Sequence, residues 1–123
     1  VTLPPYRVLV TGSRYWRDRD VVRERLAKLP RTTIIVHGAA RGLDTIAYEV
    51  ARELGFDDEP HPADWARHGK GAGVIRNGEM VALGAHLCLA FPTGTSIGTW
   101  DCVRRAQAAG ITVEIIGEPA RPR

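Results

Sequence analysis

Three apolar runs set the limits on this chain: "RVLV", "IIV" and "LCLAF" are short, nearly unbroken and rich in branched residues. Each gives way to a glycine-containing stretch, "TGSRYW", "HGAARGLD" and "FPTGTSIGT", the first and third with hydroxyl residues as well, and each of these leads toward a helix-like stretch. Strands apolar at every position have both faces covered, which is the habit of a parallel sheet rather than a half-wet antiparallel one. Helices must then alternate with strands to return the chain, and right-handed crossovers place them on both faces.

A pass along the chain agrees. "YRVLVTG" reads as a strand ending at Gly12, and "DRDVVRERLAKL" as a helix with Asp18 or Asp20 able to cap it and Pro30 closing it. "TTIIVHG" is the next strand. "LDTIAYEVAREL" is the clearest amphipathic helix, ended by Gly55. "FDDEPHPADW" carries two prolines that bar it from a central strand, so it reads at most as a short edge strand. "HGKGAG" is a flexible loop, "VIRNGEMVALG" a helix, "HLCLAF" a strand, "TWDCVRRAQAAG" a helix ended by Gly110, and "ITVEII" the last strand. The expected fold is α/β, a Rossmann-like three-layer sandwich with a mostly parallel sheet of about five strands. The 123 residues suit one domain, with a core over about 6–116 and a frayed Pro- and Arg-rich tail over 117–123.

Composition narrows the setting. A net charge of +3, supplied almost wholly by arginine and partly by the tail, permits a phosphate or nucleic-acid patch without demanding one. No helix face carries a basic stripe, which argues mildly against nucleic acid as the partner. No apolar run reaches membrane-spanning length and the start lacks signal-peptide features, so no membrane and a cytoplasmic location are expected. Cys88 and Cys102 read as small buried apolar residues. The four histidines have no zinc spacing, and neither a metal nor a cofactor is implied.

In a doubly wound sheet, ligands bind beyond the carboxyl ends of the strands, where the three glycine-rich stretches fall. In the third, Gly94 and Gly98 let backbone N–H groups approach an anion, and Thr95, Ser96 and Thr99 add hydroxyls. In the first, Gly12 ends the strand, Ser13 follows it, and Arg14 can grip a phosphate or carboxylate bidentately. Tyr15 and Trp16 fit lid or dimer packing better than base stacking. In the second, Gly38 ends the strand and Asp44 either caps the following helix or accepts from a ribose or base, while His37 reads as a strand-end residue with a satisfied ring. Neither GxGxxG nor a Walker pattern is present, and "GTSIG" is not read as a nucleophile elbow. Met80, Val81, Leu83, Trp100 and Val103 exceed what one sheet face needs, so a homodimer burying helix faces is expected.

Together "RVLVTGSRYW", "IIVHGAARGLD", "PADWARHGKGAGVIRNGEM" and "LAFPTGTSIGT…AQAAGITV" resemble the SLOG superfamily, and within it the small YspA-like (YpsA-related) branch, over Arg7–Val113. That superfamily also holds the DNA-processing protein DprA and the Lonely Guy phosphoribohydrolases. The resemblance implies a domain that binds a nucleotide or nucleotide derivative, as a sensor or sequestering module. Lonely Guy enzymes use a PGGxGTxxE loop and an arginine to cleave an N-glycosidic bond. "FPTGTSIGTWDC" occupies that loop's place, Arg76 is the counterpart of the catalytic arginine, and Asn77 follows it as a second gripping residue. Cys102 stands where the glutamate belongs, so a nucleoside-monophosphate phosphoribohydrolase is the alternative reading, with Asp44, Asp64, Glu79 or Asp101 as the replacement carboxylate. A DprA-like association with DNA is the third.

Overall fold

The computed structural model describes residues 4–118. The apolar runs, joined at the edges by two more polar segments, form a five-stranded, wholly parallel sheet of β1 (Tyr6–Gly12), β2 (Thr33–His37), β3 (Asp57–Pro60), β4 (Leu87–Phe91) and β5 (Thr112–Ile115). Their order across the sheet is β3-β2-β1-β4-β5. The chain thus steps outward twice from β1, then crosses back to lay β4 on the other side of it. This reversal of strand order opens a crevice between the ends of β1 and β4. β3, with its proline, takes the edge that its sequence allows.

Alternation along the strands builds two cores. Val8, Val10, Ile35, Leu89 and Phe91 face helices α1 (Arg19–Leu26) and α2 (Leu43–Glu53), meeting Val22, Leu26, Leu43, Ala47 and Val50. Leu9, Val36 and Cys88 face the opposite way, onto α4 (Ala72–Ala82) and α5 (Ile97–Ala108), meeting Met80, Val81, Cys102 and Ala106. Burying each of the larger aliphatic side chains contributes about 1.5–3 kcal/mol. Asp18 caps α1 by accepting the Val21 N–H at 3.1 Å. The stretch expected as a loop after β3 is partly helical: Asp64 accepts the Arg67 N–H at 3.0 Å and starts the one-turn helix α3 (Trp65–His68), which a 3₁₀ turn joins to α4. Across the sheet, Arg7 grips Glu59 with both guanidinium ends at 2.7 and 2.9 Å and gives its Nε–H to the Gly84 carbonyl.

Two expectations about apolar side chains are corrected. Trp16 is neither lid nor interface: it is buried, packs edge-on against Phe91 at 5.3 Å and donates its indole N–H to the Asp18 carbonyl. Met80, Val81 and Val103 are also buried in the chain's own core, because α4 and α5 pack on each other as well as on the sheet. Of the five side chains expected at a helix interface, Leu83 is exposed and Trp100 half-buried. Among the described residues no helix is long and apolar enough to cross a membrane. Gly117 and Glu118 belong to no regular element, and the rest of the expected frayed tail, 119–123, lies outside the described residues.

Candidate functional site

A cleft of about 500 Å³ opens at the carboxyl ends of the strands, walled by the loops after β1, β2 and β4 and by the first turns of α4 and α5. A second hollow of about 580 Å³ runs along the β3 edge between Arg52 and Asp57–Glu59, but none of the loops at the carboxyl ends of the strands lines it. The cleft is therefore the candidate site.

The loop after β1 is tied down by its own polar groups. Ser13 is buried, its N–H goes to the Phe91 carbonyl, and its own carbonyl accepts from both Trp16 and Leu43. Its hydroxyl accepts the Tyr15 N–H and meets the Thr93 hydroxyl at 2.5 Å, joining the loops after β1 and β4. Gly12 answers to packing: a Cβ there would lie 2.3 Å from Leu43 Cγ and 2.9 Å from the Phe91 carbonyl. Arg14 is exposed at the cleft wall, with no hydrogen-bond or ion-pair partner among the described residues.

The loop after β2 is organised around Asp44. Its carboxylate Oδ2 accepts the N–H groups of Gly38 and Ala40 at 3.1 and 3.2 Å. It therefore folds the loop back on itself instead of capping α2, whose N-cap residue, Gly42, has no side chain to offer. Burial pushes the carboxyl up from its ordinary proton affinity, against the pull of the two N–H groups and of His37 and Arg76. Gly38 is shaped by a neighbour, since a Cβ there would strike the Arg76 guanidinium at 2.4 Å. His37 has both ring nitrogens engaged, one accepting from Ala39 and the other donating to Asp58.

Arg76 and Asn77 are not a surface pair. Asn77 is buried and sends its amide N–H groups to the Gly98 carbonyl and to Asp101, both at 3.1 Å, while its oxygen accepts the Arg76 Nε–H. Arg76 Nη1 donates to the carbonyls of Gly38 and His61. Three residues, Asn77, Gly38 and His61, thus hold this guanidinium at the cleft floor, with Nη2 left over as a donor among the described residues.

The loop between β4 and α5 differs. Among the described residues no protein group accepts the N–H groups from Gly94 to Thr99, and the first helical bond there is Trp100 N–H to the Ser96 carbonyl. Gly94 has φ +49°, where glycine is at home, and Ser96 adopts φ +35°. Gly98 has no such excuse: its φ is ordinary for a helix and a Cβ there would meet nothing within 4 Å. Thr99 is buried and Thr95 exposed. The pentapeptide Gly94–Gly98 does have the Gly-x-Ser-x-Gly spacing of a nucleophile elbow, contrary to the reading of the sequence above. Even so, the Ser96 hydroxyl turns back onto Thr93, donating to its carbonyl and accepting its N–H, and no histidine lines the cleft.

The carboxylate question has a definite geometry. Cys102 has no exposure and sits in the core among Leu9, Met80 and Cys88, so the place of the Lonely Guy glutamate does not face the cleft. Asp101 is engaged by Asn77 and Arg105. Of Asp44, Asp64, Glu79 and Asp101, only Asp44 lines the cleft. Arg41, Gly73, Trp65 and Thr93 also line it but were not singled out from sequence. Arg41 lies inside the quoted "HGAARGLD", three residues before Asp44, and was the most findable of them.

Comparison with known proteins agrees with this architecture. The model of the YspA, cpYpsA-related SLOG family matches residues 6–68, so the loop after β4 lies outside the match. The Gene 61 protein of Mycobacterium phage D29 is 51% identical over 121 residues, covering 91% of this chain and 97% of that protein. The structure of DNA processing protein A (DprA) from Streptococcus pneumoniae superposes with a TM-score of 0.72 at 20% identity, over 95% of this chain. It shares the fold, and the chain spans about half (51%) of its length. With a family match over half of its residues and a relative alike along almost its full length, this chain belongs to the YspA, cpYpsA-related SLOG family.

Proposed function

We propose that the cleft binds a nucleotide or nucleotide derivative, with a phosphate on the open N–H groups at the start of α5, and that the domain acts as a sensor or sequestering module. Gly98 carries this reading. A glycine in a helical turn costs roughly 0.5–1 kcal/mol relative to alanine, and nothing in the surrounding protein requires one here. Close approach of a ligand to the backbone gives it a reason. Arg14, Arg41 and Arg76 set three positive charges against the single carboxylate of Asp44 along the cleft, so an anion suits it. A homodimer is also proposed, on the exposed Leu83 and half-buried Trp100.

Phosphoribohydrolase activity has less support, because the glutamate's place is buried and Asp44, the one cleft carboxylate, already holds the loop after β2. A role on DNA has only the fold of DNA processing protein A behind it. Calorimetric titration with nucleoside monophosphates tests the main proposal. Gly98→Ala is expected to leave the protein as stable or slightly more so, while weakening nucleotide affinity at least roughly tenfold, about 1.4 kcal/mol. Unchanged affinity in that variant would remove the anion seat.

A further inference from the structure

Large side chains stand in solvent at the mouth of the cleft: Trp65 is 59% exposed, Tyr15 70% and Ile97 76%. They come from α3, from the loop after β1 and from the first residue of α5. A single exposed apolar residue needs no explanation, but three gathered around one arginine-lined cleft call for an occupant. Trp65 is held in place. Asp64 starts its helical turn, and its indole edge lies over Gly73 in the first turn of α4, where a Cβ would sit 3.6 Å from Trp65 Cη2 and 3.9 Å from Arg76 Nη2. The free end of the Arg76 guanidinium and an exposed aromatic face therefore approach the same point of the wall. Gly73, like Gly98, has an ordinary φ and no close neighbour that forbids a side chain.

A flat π surface beside a cationic donor suits a ligand with an aromatic ring at one end and an anion at the other. We infer that Trp65, with Tyr15 as the second aromatic, stacks the base of a mononucleotide whose phosphate lies at the start of α5, so that the cleft prefers nucleotides to sugar phosphates. This rests on the nucleotide reading above and adds the element that recognises the base. It also departs from the assignment of Tyr15 to lid or dimer packing, since its ring rims the cleft.

The test is a calorimetric comparison of the four common nucleoside 5′-monophosphates with ribose 5-phosphate. Wild-type protein is expected to bind at least one nucleotide roughly tenfold or more tightly than the sugar phosphate, the scale of one base–aromatic stack. Trp65→Ala should bring the two within about twofold while leaving the ribose 5-phosphate affinity unchanged, and Tyr15→Ala should act in the same direction. Both side chains are exposed, so the fold tolerates their loss. Equal binding of nucleotide and sugar phosphate by the wild type would overturn the stacking role and leave the phosphate seat standing. So would a Trp65→Ala variant that weakens both ligands alike, which would make Trp65 a structural prop. Binding of neither would remove the seat and the inference together. A single-stranded oligonucleotide binding more tightly than every mononucleotide would overturn the mononucleotide as occupant.

Discussion

The loops after β1 and β4 look alike in sequence, each a strand running into glycine and hydroxyl residues, yet they do different physical work. After β1, Gly12 is glycine because Leu43 of α2 occupies the space of its side chain, and Ser13 spends its N–H, carbonyl and hydroxyl on protein partners. After β4, the N–H groups have no protein acceptor among the described residues, and Gly98 borders open space. One loop is a joint between α2 and the sheet; the other is a turn whose backbone N–H groups face the cleft wall without protein acceptors among the described residues. A glycine-rich strand end therefore does not by itself mark a ligand contact. What separates the cases is whether the fold already explains the glycine.

The largest expected effect breaks the comparison on the joint side. Gly12→Ala forces a Cβ against Leu43 and the Phe91 carbonyl, and such overpacking costs typically 1–3 kcal/mol and can exceed it where backbone is struck. Chemical denaturation should show that loss, in contrast to the neutral or stabilising Gly98→Ala. If the two substitutions proved equally harmless, the distinction between the packed loop and the open one would fail.

Arg76 comes next, because it combines the two kinds of work: protein carbonyls hold part of its guanidinium while it lines the cleft. Arg76→Ala removes a cleft donor and should weaken nucleotide binding by roughly 1.5–3 kcal/mol, the range for a hydrogen bond to a charged group. It also strips donors from the carbonyls of Gly38 and His61 and from Asn77, so stability should fall as well. Thermal-shift titration separates the two: a variant that is destabilised yet gains the same shift from nucleotide as wild type would make Arg76 purely structural.

The smallest effect lies away from both loops and serves as a control. Arg7, hydrogen-bonded to both oxygens of Glu59, holds that carboxyl down to about 2 from an ordinary 4.5. The folded-state value lies below the unfolded one, so the stabilisation is full above about pH 4.5 and is lost as pH falls toward 2. Glu59→Gln should flatten stability across that acid window and leave nucleotide affinity at neutral pH untouched. An unaltered acid profile would mean the pair contributes nothing, as many surface pairs do.

Much of this was legible in sequence. Apolar run length marked β1, β2, β4 and β5, and the two prolines of "FDDEPHPADW" allowed at most a short edge strand, which is where β3 lies. Asn77 followed from its place beside Arg76, although its burial between α4 and α5 did not. Tyr15 and Trp16 are adjacent and similar in kind, and no local pattern says that the second turns into the core while the first stands in solvent. Met80, Val81 and Val103 looked surplus because a count based on one sheet face ignores the contact between α4 and α5. Trp65 ends "FDDEPHPADW", which reads at most as a short edge strand, and its relation to Gly73 and Arg76 arises only when α3 folds back over α4.

The most direct test of the difference between the loops is an amide-resolved titration. A ¹⁵N-labelled sample receiving the nucleoside 5′-monophosphates should show its largest shifts at the N–H groups of Gly94 to Thr99, with the already bonded amides of Ser13 and Gly38 moving least among the cleft amides. Saturable shifts centred on Ser13 and Gly38, with Gly98 still, would contradict the account.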